Sequence, residues 1–201
     1  MSQLVFVQMS GVPGAGKTTL AHAIAPPLGA VVIDHDVTKT ALLGAEVPVS
    51  LAGYASYMVL DALARHLLQQ AHSVIFDSPC LYDELLMRGQ QLAKEAGATY
   101  RYVECVVTDL DELDRRLRTR QRLPSQLAGV RVPPTAGSGK TETGDHVFRE
   151  WMANMKRPAV PYLVLDTSRA LEVCSNEALA YIETGIVTHC GEANPARSGA
   201  S

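Results

Sequence analysis

Aromatic residues are scarce in this chain of 201: three Phe, one Trp and seven Tyr, or 5% of positions. Positive charge is not in excess either, since 18 Lys and Arg stand against 21 Asp and Glu, a formal net charge of -3. A groove for single-stranded nucleic acid needs basic residues interleaved with stacking aromatics, so a polynucleotide partner is disfavoured. Cysteine is sparse. Cys80, Cys105, Cys174 and Cys190 are far apart and no CxxC pair occurs, which excludes the common zinc-site and disulfide-framework patterns. No apolar run approaches the roughly 20 residues of a membrane-spanning helix, and MSQLVFVQMSG lacks the basic and apolar regions of a secretory signal. The expectation is therefore a cytoplasmic protein with no membrane partner.

What the chain has is a regular alternation. Apolar, β-branched runs at 4–9, 30–34, 73–77, 100–107 and 161–166 are separated by segments with apolar residues at helical spacing, at 17–25, 51–71, 81–96, 109–120, 145–156 and 173–183. Strands alternating with helices predict an α/β fold, with a mainly parallel five-stranded sheet covered on both faces. Asp109 and Ser50 are candidate helix N-caps, and Gly97 a helix C-terminal glycine. Between residues 121 and 144 the pattern breaks, with three prolines and four glycines. So long a patternless stretch is expected to be a functional lid or a disordered segment. A single domain over 1–187 follows, with 188–201 read as a disordered tail.

The first apolar run leads into GVPGAGKTTL. Gly11, Gly16, Lys17 and Thr18 complete the pattern GxxxxGK(S/T) between a strand and a helix, the context that gives the pattern meaning. Glycines let backbone N–H groups curl round a phosphate, and a helix N-terminus aims its positive dipole end at the same anion. Gly11, Val12, Pro13, Gly14, Ala15, Gly16, Lys17, Thr18 and Thr19 are thus the expected nucleotide-binding loop. Lys17 would reach the β- and γ-phosphates and Thr18 would ligate Mg²⁺. TAGSGKT at 135–141 resembles a second copy, but Pro134 replaces the first glycine and no strand precedes it. Lys140 is there read as a surface lysine of the lid. An NKxD guanine-reading motif is absent, which argues against a GTPase.

VVIDHDVTK places Asp34 and Asp36 two apart, so in an extended chain both carboxylates face one way. One would address the metal's water shell and the other the acceptor hydroxyl, while His35 faces away. The competing reading is that they cap the next helix. VIFD, three apolar residues and then Asp77, has the Walker B form, with Asp77 holding Mg²⁺ through water beside Thr18. Arg115, Arg116, Arg118, Arg120 and Arg122 crowd one helix end. Arg116 and Arg120, one turn apart, share a face, and their guanidinium groups suit the transferring phosphoryl oxygens. Basic residues also favour helix C-termini, which is the expected role of at least two of the five. Tyr54, Tyr57, Asp61 and Arg65 repeat at helical spacing and form either an acceptor-pocket stripe or ordinary core.

GVPGAGKTTL, VVIDHDVTK, VIFDSP and RRLRTRQR together resemble, over roughly residues 3 to 185, a P-loop kinase family. It comprises AAA_33-type ATP-binding proteins: zeta-toxin-like kinases, polynucleotide-kinase-type domains, chloramphenicol phosphotransferase and, more distantly, shikimate and gluconate kinases. The resemblance implies sheet order 2-3-1-4-5 with an arginine-rich lid, and the catalytic set Lys17, Asp36, Arg116 and Arg120. It also implies Asp36 as base for the acceptor hydroxyl, with Lys39 as a basic companion. Together with the helical stripe, the residues expected to meet the acceptor are Asp34, Asp36, Lys39, Tyr57 and Arg65. Thr18 and Asp77, with Asp34 as a further candidate, are the metal residues. DTSR, 166–169, falls where relatives lean on the nucleotide base. The expected activity is transfer of the ATP γ-phosphoryl, with Mg²⁺ and without excluding GTP, to a hydroxyl of a small molecule. A polynucleotide or nucleotide kinase and a non-catalytic nucleotide-binding regulator are the alternatives. Oligomeric state is left open.

Overall fold

The computed structural model describes residues 3–187. β1 (Val5–Ser10), β2 (Ala30–Asp34), β3 (Ser73–Asp77), β4 (Thr99–Val106) and β5 (Leu163–Asp166) form one parallel sheet in the order β2-β3-β1-β4-β5. That is the expected order. Sequence explains which strands lie inside. Every residue of β1 and β3 is buried, as strands covered on both faces require, while β2 and β5 at the edges mix buried with exposed positions.

Alternation along β1 divides the core. Val5, Val7 and Met9 join the larger cluster, with Leu20 and Ile24 of α1 (Lys17–Leu28), Leu113 and Leu117 of α5 (Leu110–Thr119), and Ile182 of α7 (Leu171–Thr184). Phe6 points to the opposite face, where Val74 and Phe76 meet Leu60 and Leu68 of α3 (Val49–Gln69) and Leu92 of α4 (Asp83–Glu95). α6 (Asp145–Ala153) adds Phe148 to the first cluster.

Several boundaries follow the expected chemistry. Asp109 Oδ1 accepts from the amides of Asp111 at 2.9 Å and Glu112 at 3.4 Å, capping α5. Gly97 takes the left-handed conformation, φ +64°, just past α4. Ser50, by contrast, lies inside α3, whose cap position is Pro48 with no side-chain hydrogen bond. The extended reading of IDHD is corrected too: β2 stops at Asp34, and α2 (His35–Gly44) begins at once. The cause is local. Asp34 Oδ1 accepts from the amides of Asp36 at 2.6 Å and Val37 at 3.3 Å, which satisfies the first turn of a helix.

The segment after α5 carries one 3₁₀ turn, Ala136–Ser138, and is packed rather than loose. Leu127 and Val130 are buried in the main core. Asp114 Oδ1 accepts from the amides of Val130 at 2.7 Å and Arg131 at 3.2 Å, and Arg131 pairs with Asp111 and Asp145. The tail expected over 188–201 lies outside the described residues.

Gly11 is where the sheet and the loop after β1 meet most closely. Its φ is +132°, and a Cβ there would stand 2.3 Å from the backbone oxygen of Cys105 on β4. Gly11→Ala therefore combines a strained φ with a clash against sheet backbone, and is expected to lower the unfolding free energy by about 3 kcal/mol. Urea unfolding followed by far-UV circular dichroism checks this.

Candidate active site

The carboxyl ends of the five strands share one edge of the sheet, and in register Asp34 at the end of β2 sits beside Asp77 at the end of β3. Open parallel sheets bind ligands at this edge. A cleft of about 1460 Å³ opens there, running from Pro13, Gly14, Gly16, Lys17, Thr18 and Thr19 past Asp36 and Asp77 to α3 and the segment after α5.

The loop has the shape of an anion cradle. Gly14 and Gly16 hold φ of +86° and +85°, and Gly16, at the cap position of α1, supplies no side chain to its first amides. Those amides are thereby left for a ligand. Gly11, Val12 and Ala15 stand behind the rim rather than in the cleft, with Val12 and Ala15 packed in the core. Their contribution is backbone. Lys17 Nζ donates to the carbonyls of Gly11 at 2.9 Å and Val12 at 3.2 Å, and Ala15's carbonyl accepts from Thr167 Oγ1 at 2.7 Å.

Thr18 Oγ1 donates to Asp77 Oδ2 at 2.5 Å. Asp77 is 3% exposed. Burial raises its pKa to about 6 against the pull of the Lys17 charge, so this carboxylate lacks adequate compensation for its charge. A hydroxyl and one acidic oxygen in contact suit a hard cation that keeps much of its water and takes further oxygens from phosphates. Among the described residues no group of three His, Cys, Asp or Glu forms a cage of its own. The chemistry of Thr18 and Asp77 thus fits Mg²⁺ held jointly with a nucleotide. Asp34 lines the same cleft, but its Oδ1 is engaged in capping α2.

Since the folded pKa of Asp77 lies above the ordinary 3.8, the folded protein holds a proton there that the unfolded chain has already lost over the interval between them. Stability of the metal-free protein should accordingly rise as pH falls from about 7 to about 5, and magnesium nucleotide should abolish the rise. Thermal melts with and without magnesium and a non-hydrolysable ATP analogue measure it.

Asp36, in the first turn of α2, faces the cleft. Its Oδ2 accepts from Gln126 Nε2 at 2.8 Å, and Oδ1 is 3.5 Å from His35 Nδ1. Burial alone would raise its pKa, but His35, Gln126 and the Lys17 charge prevail and bring it down to about 2. Arg116 and Arg120 both line the cleft. Arg116 is oriented by Glu112 at 2.7 Å and by the Thr167 carbonyl at 2.9 Å, while Arg120 donates to Leu127's carbonyl at 3.3 Å and leaves a buried Nε without a partner. Arg115 and Arg118 turn to Glu112 and Asp114 on their own helix.

A match to the family model described as AAA domain, AAA_33, runs over residues 6–131. The chain belongs to that family. No curated protein matches it. A protein of Chloroflexus aurantiacus has the same fold at 20% identity, over 87% of this chain and 96% of that one, with TM-score 0.66. The APS kinase CysC of Mycobacterium tuberculosis, solved with AMPPNP and APS, matches at 21% identity over 92% and 100%, TM-score 0.63. A gluconokinase of Sinorhizobium meliloti 1021 matches at 18% over 90% and 93%, TM-score 0.56. The fold is that of P-loop kinases.

The acceptor end departs from expectation. Tyr57 and Tyr54 line the cleft, but Arg65 does not: its guanidinium pairs with Glu95 of α4, two turns further along α3. Arg88 of α4 stands at the cleft instead, paired with Asp61 at 3.0 Å. Lys39 is buried, its Nζ donating to Ser138's carbonyl at 2.5 Å, so it fastens the segment after α5 to α2. His35, expected to face away, lines the cleft and packs its ring 4.2 Å, centroid to centroid, from Tyr57. Thr167 had no expected role as an individual residue. Bonded to Ala15, Val106 and Arg116, it ties the cradle to β4 and α5, and its only sequence signal was its place at a strand's end.

Proposed function

We propose that this chain is a kinase that moves the γ-phosphoryl group of ATP to a hydroxyl of a small molecule. One observation carries the reading: a single cleft holds the cradle, the Thr18–Asp77 contact, Asp36 and two arginines, in the order a phosphoryl transfer uses them. The amides of Gly14 to Thr19 take the phosphates, and the Lys17 ammonium exchanges its bonds to Gly11 and Val12 for phosphate oxygens. Thr18 and Asp77 would hold Mg²⁺. When bound it offsets the phosphates' charge.

Asp36 orients the acceptor hydroxyl and accepts its proton. A carboxylate with pKa about 2 is a weak base, but the transition state of phosphoryl transfer is loose, so the proton departs late and orientation matters more than basicity. The acceptor oxygen bonds to the γ-phosphorus as the bond to the bridging oxygen breaks, and ADP leaves with that electron pair. Arg116 and Arg120 meet the equatorial oxygens. Gln126 and Ser125, bonded to Asp36's carboxylate and backbone carbonyl, make the 121–144 segment the lid that excludes water.

Incubation with γ-labelled ATP, magnesium and a library of small alcohols tests this, with GTP run as competing donor. The expected result is label in an organic phosphate ester, one ADP per ester. Label found only in inorganic phosphate would contradict it. Label on polynucleotide ends, with affinity falling steeply as salt rises, would move the acceptor to nucleic acid.

A further inference from the structure

Helices on the surface of this fold turn charge to solvent: α4 presents Asp83, Glu84 and Lys94, and α5 presents Asp111, Arg115 and Arg118. α3 does otherwise. No charged residue stands between Glu46 and Asp61, so about the first three turns of α3 carry none. One side of the helix packs Ala52, Leu60, Ala64 and Leu68 inward, and the next lines the cleft with Gly53, Tyr54 and Tyr57. The side turned away from both holds Leu51, Ala55, Met58, Val59, Ala62 and Leu63. Leu51 is 56% exposed, and Met58, Val59 and Leu63 are 43%, 39% and 43% exposed. A helix that is apolar on every side is ordinarily covered on every side.

The chemistry of this face selects its occupant. A lipid surface or a nucleic acid holds a helix through Lys and Arg along the rim, and the one such residue in α3, Arg65, is paired with Glu95. A second copy of the chain makes a different demand: around a two-fold axis each residue faces its own kind or a near neighbour, so the patch must lack charge of one sign. This patch meets it. With two α3 helices antiparallel and the axis between Met58 and Val59, Ala55 stands opposite Ala62, where small side chains let the helices approach to about 8 Å, and Tyr54 stands opposite Leu63. The same arrangement turns Glu46, just before one helix, toward His66 in the last turn of the other, and sets the two helix dipoles antiparallel. Exposed apolar surface on the face is about 600 Å² per chain, so a pair buries about 1,200 Å², the lower end of specific interfaces.

We propose that the outward face of α3 is the interface of a symmetric homodimer. Its consequence reaches the cleft, because Tyr54 belongs to both surfaces: it lines the cleft and, in the pair, packs against Leu63 of the second copy. Association therefore fixes one aromatic wall of the cleft in each chain. A contact of this area, with no ion pair at its centre, predicts a dissociation constant of about 1–10 µM.

Sedimentation velocity on the full chain between about 1 and about 100 µM tests this. The mass should rise with concentration from 21.6 kDa toward twice that value and stop there, because a two-fold contact closes on itself. Val59→Lys and Val59→Glu, at an exposed position beside the axis, should each weaken association by about 100-fold or more, and an equimolar mixture of the two should recover the mass of a pair. Recovery in the mixture distinguishes an interface from a loss of folding. If either variant loses the far-UV circular dichroism of the unaltered protein, Ala62→Glu, at another exposed position, takes its place and should also leave single chains. A mass of 21.6 kDa at the highest concentration, growth beyond a pair, a pair that persists in the charged variants, or folded Val59 variants whose mixture stays single would overturn the proposal.

Discussion

Asp36→Asn is expected to slow phosphoryl transfer by about 10²–10⁴-fold while ATP affinity stays close to that of the unaltered protein. The asparagine keeps one oxygen for Gln126 and fits the same place in the first turn of α2, so the lid contact and the helix should survive. What it removes is the negative charge that orients and finally receives the hydroxyl proton. No hydrogen bond or ion pair among the described residues joins Asp36 to the loop that receives the nucleotide, and only the Lys17 charge reaches it, so binding and chemistry should separate. Single-turnover transfer beside calorimetric titration of AMPPNP measures the two. Equal turnover would end the assignment of Asp36, and lost nucleotide affinity would move it to the cradle.

Lys17→Ala should abolish detectable turnover, a loss of about 10³-fold or more, and weaken nucleotide binding with it. Lys17 is the one side-chain cation rooted in the loop itself, and it already spans the loop through two carbonyls. Its removal leaves the amides to face several phosphate charges without an ammonium. The fold should tolerate the change, because Lys17 opens α1 at the edge of the cleft and belongs to neither apolar cluster. Turnover near the original rate would refute the role given to Lys17.

Much of this was legible in the chain because parallel strands print their burial directly. The run LVFVQM reads as a central strand since both its faces are covered, and GVPGAGKTT reads as a cradle since glycines with positive φ are needed beside β4. The acceptor end was less legible. Whether IDHD stays extended depends on which amides the Asp34 carboxylate finds, and its choice of the amides of Asp36 and Val37 turns Asp36 and His35 into helix residues facing the cleft. Arg65 shares a helical stripe with Tyr57, but that stripe runs under α4, where Glu95 takes Arg65 and Asp61 takes Arg88. Such pairings between helices 27 and 30 residues apart leave no periodic trace in sequence. The segment 121–144 was recognisable as irregular, whereas its anchoring by Leu127, Val130 and Lys39 depends on tertiary packing.

The central claim is that the loop after β1 receives the phosphates of a nucleoside triphosphate. Calorimetric titration of the folded protein with AMPPNP and magnesium tests it most directly. The account predicts saturable binding of one nucleotide per chain, weakened when Thr18 is replaced by alanine and when magnesium is withheld. A well-folded protein that takes up neither adenine nor guanine triphosphate analogues would contradict it.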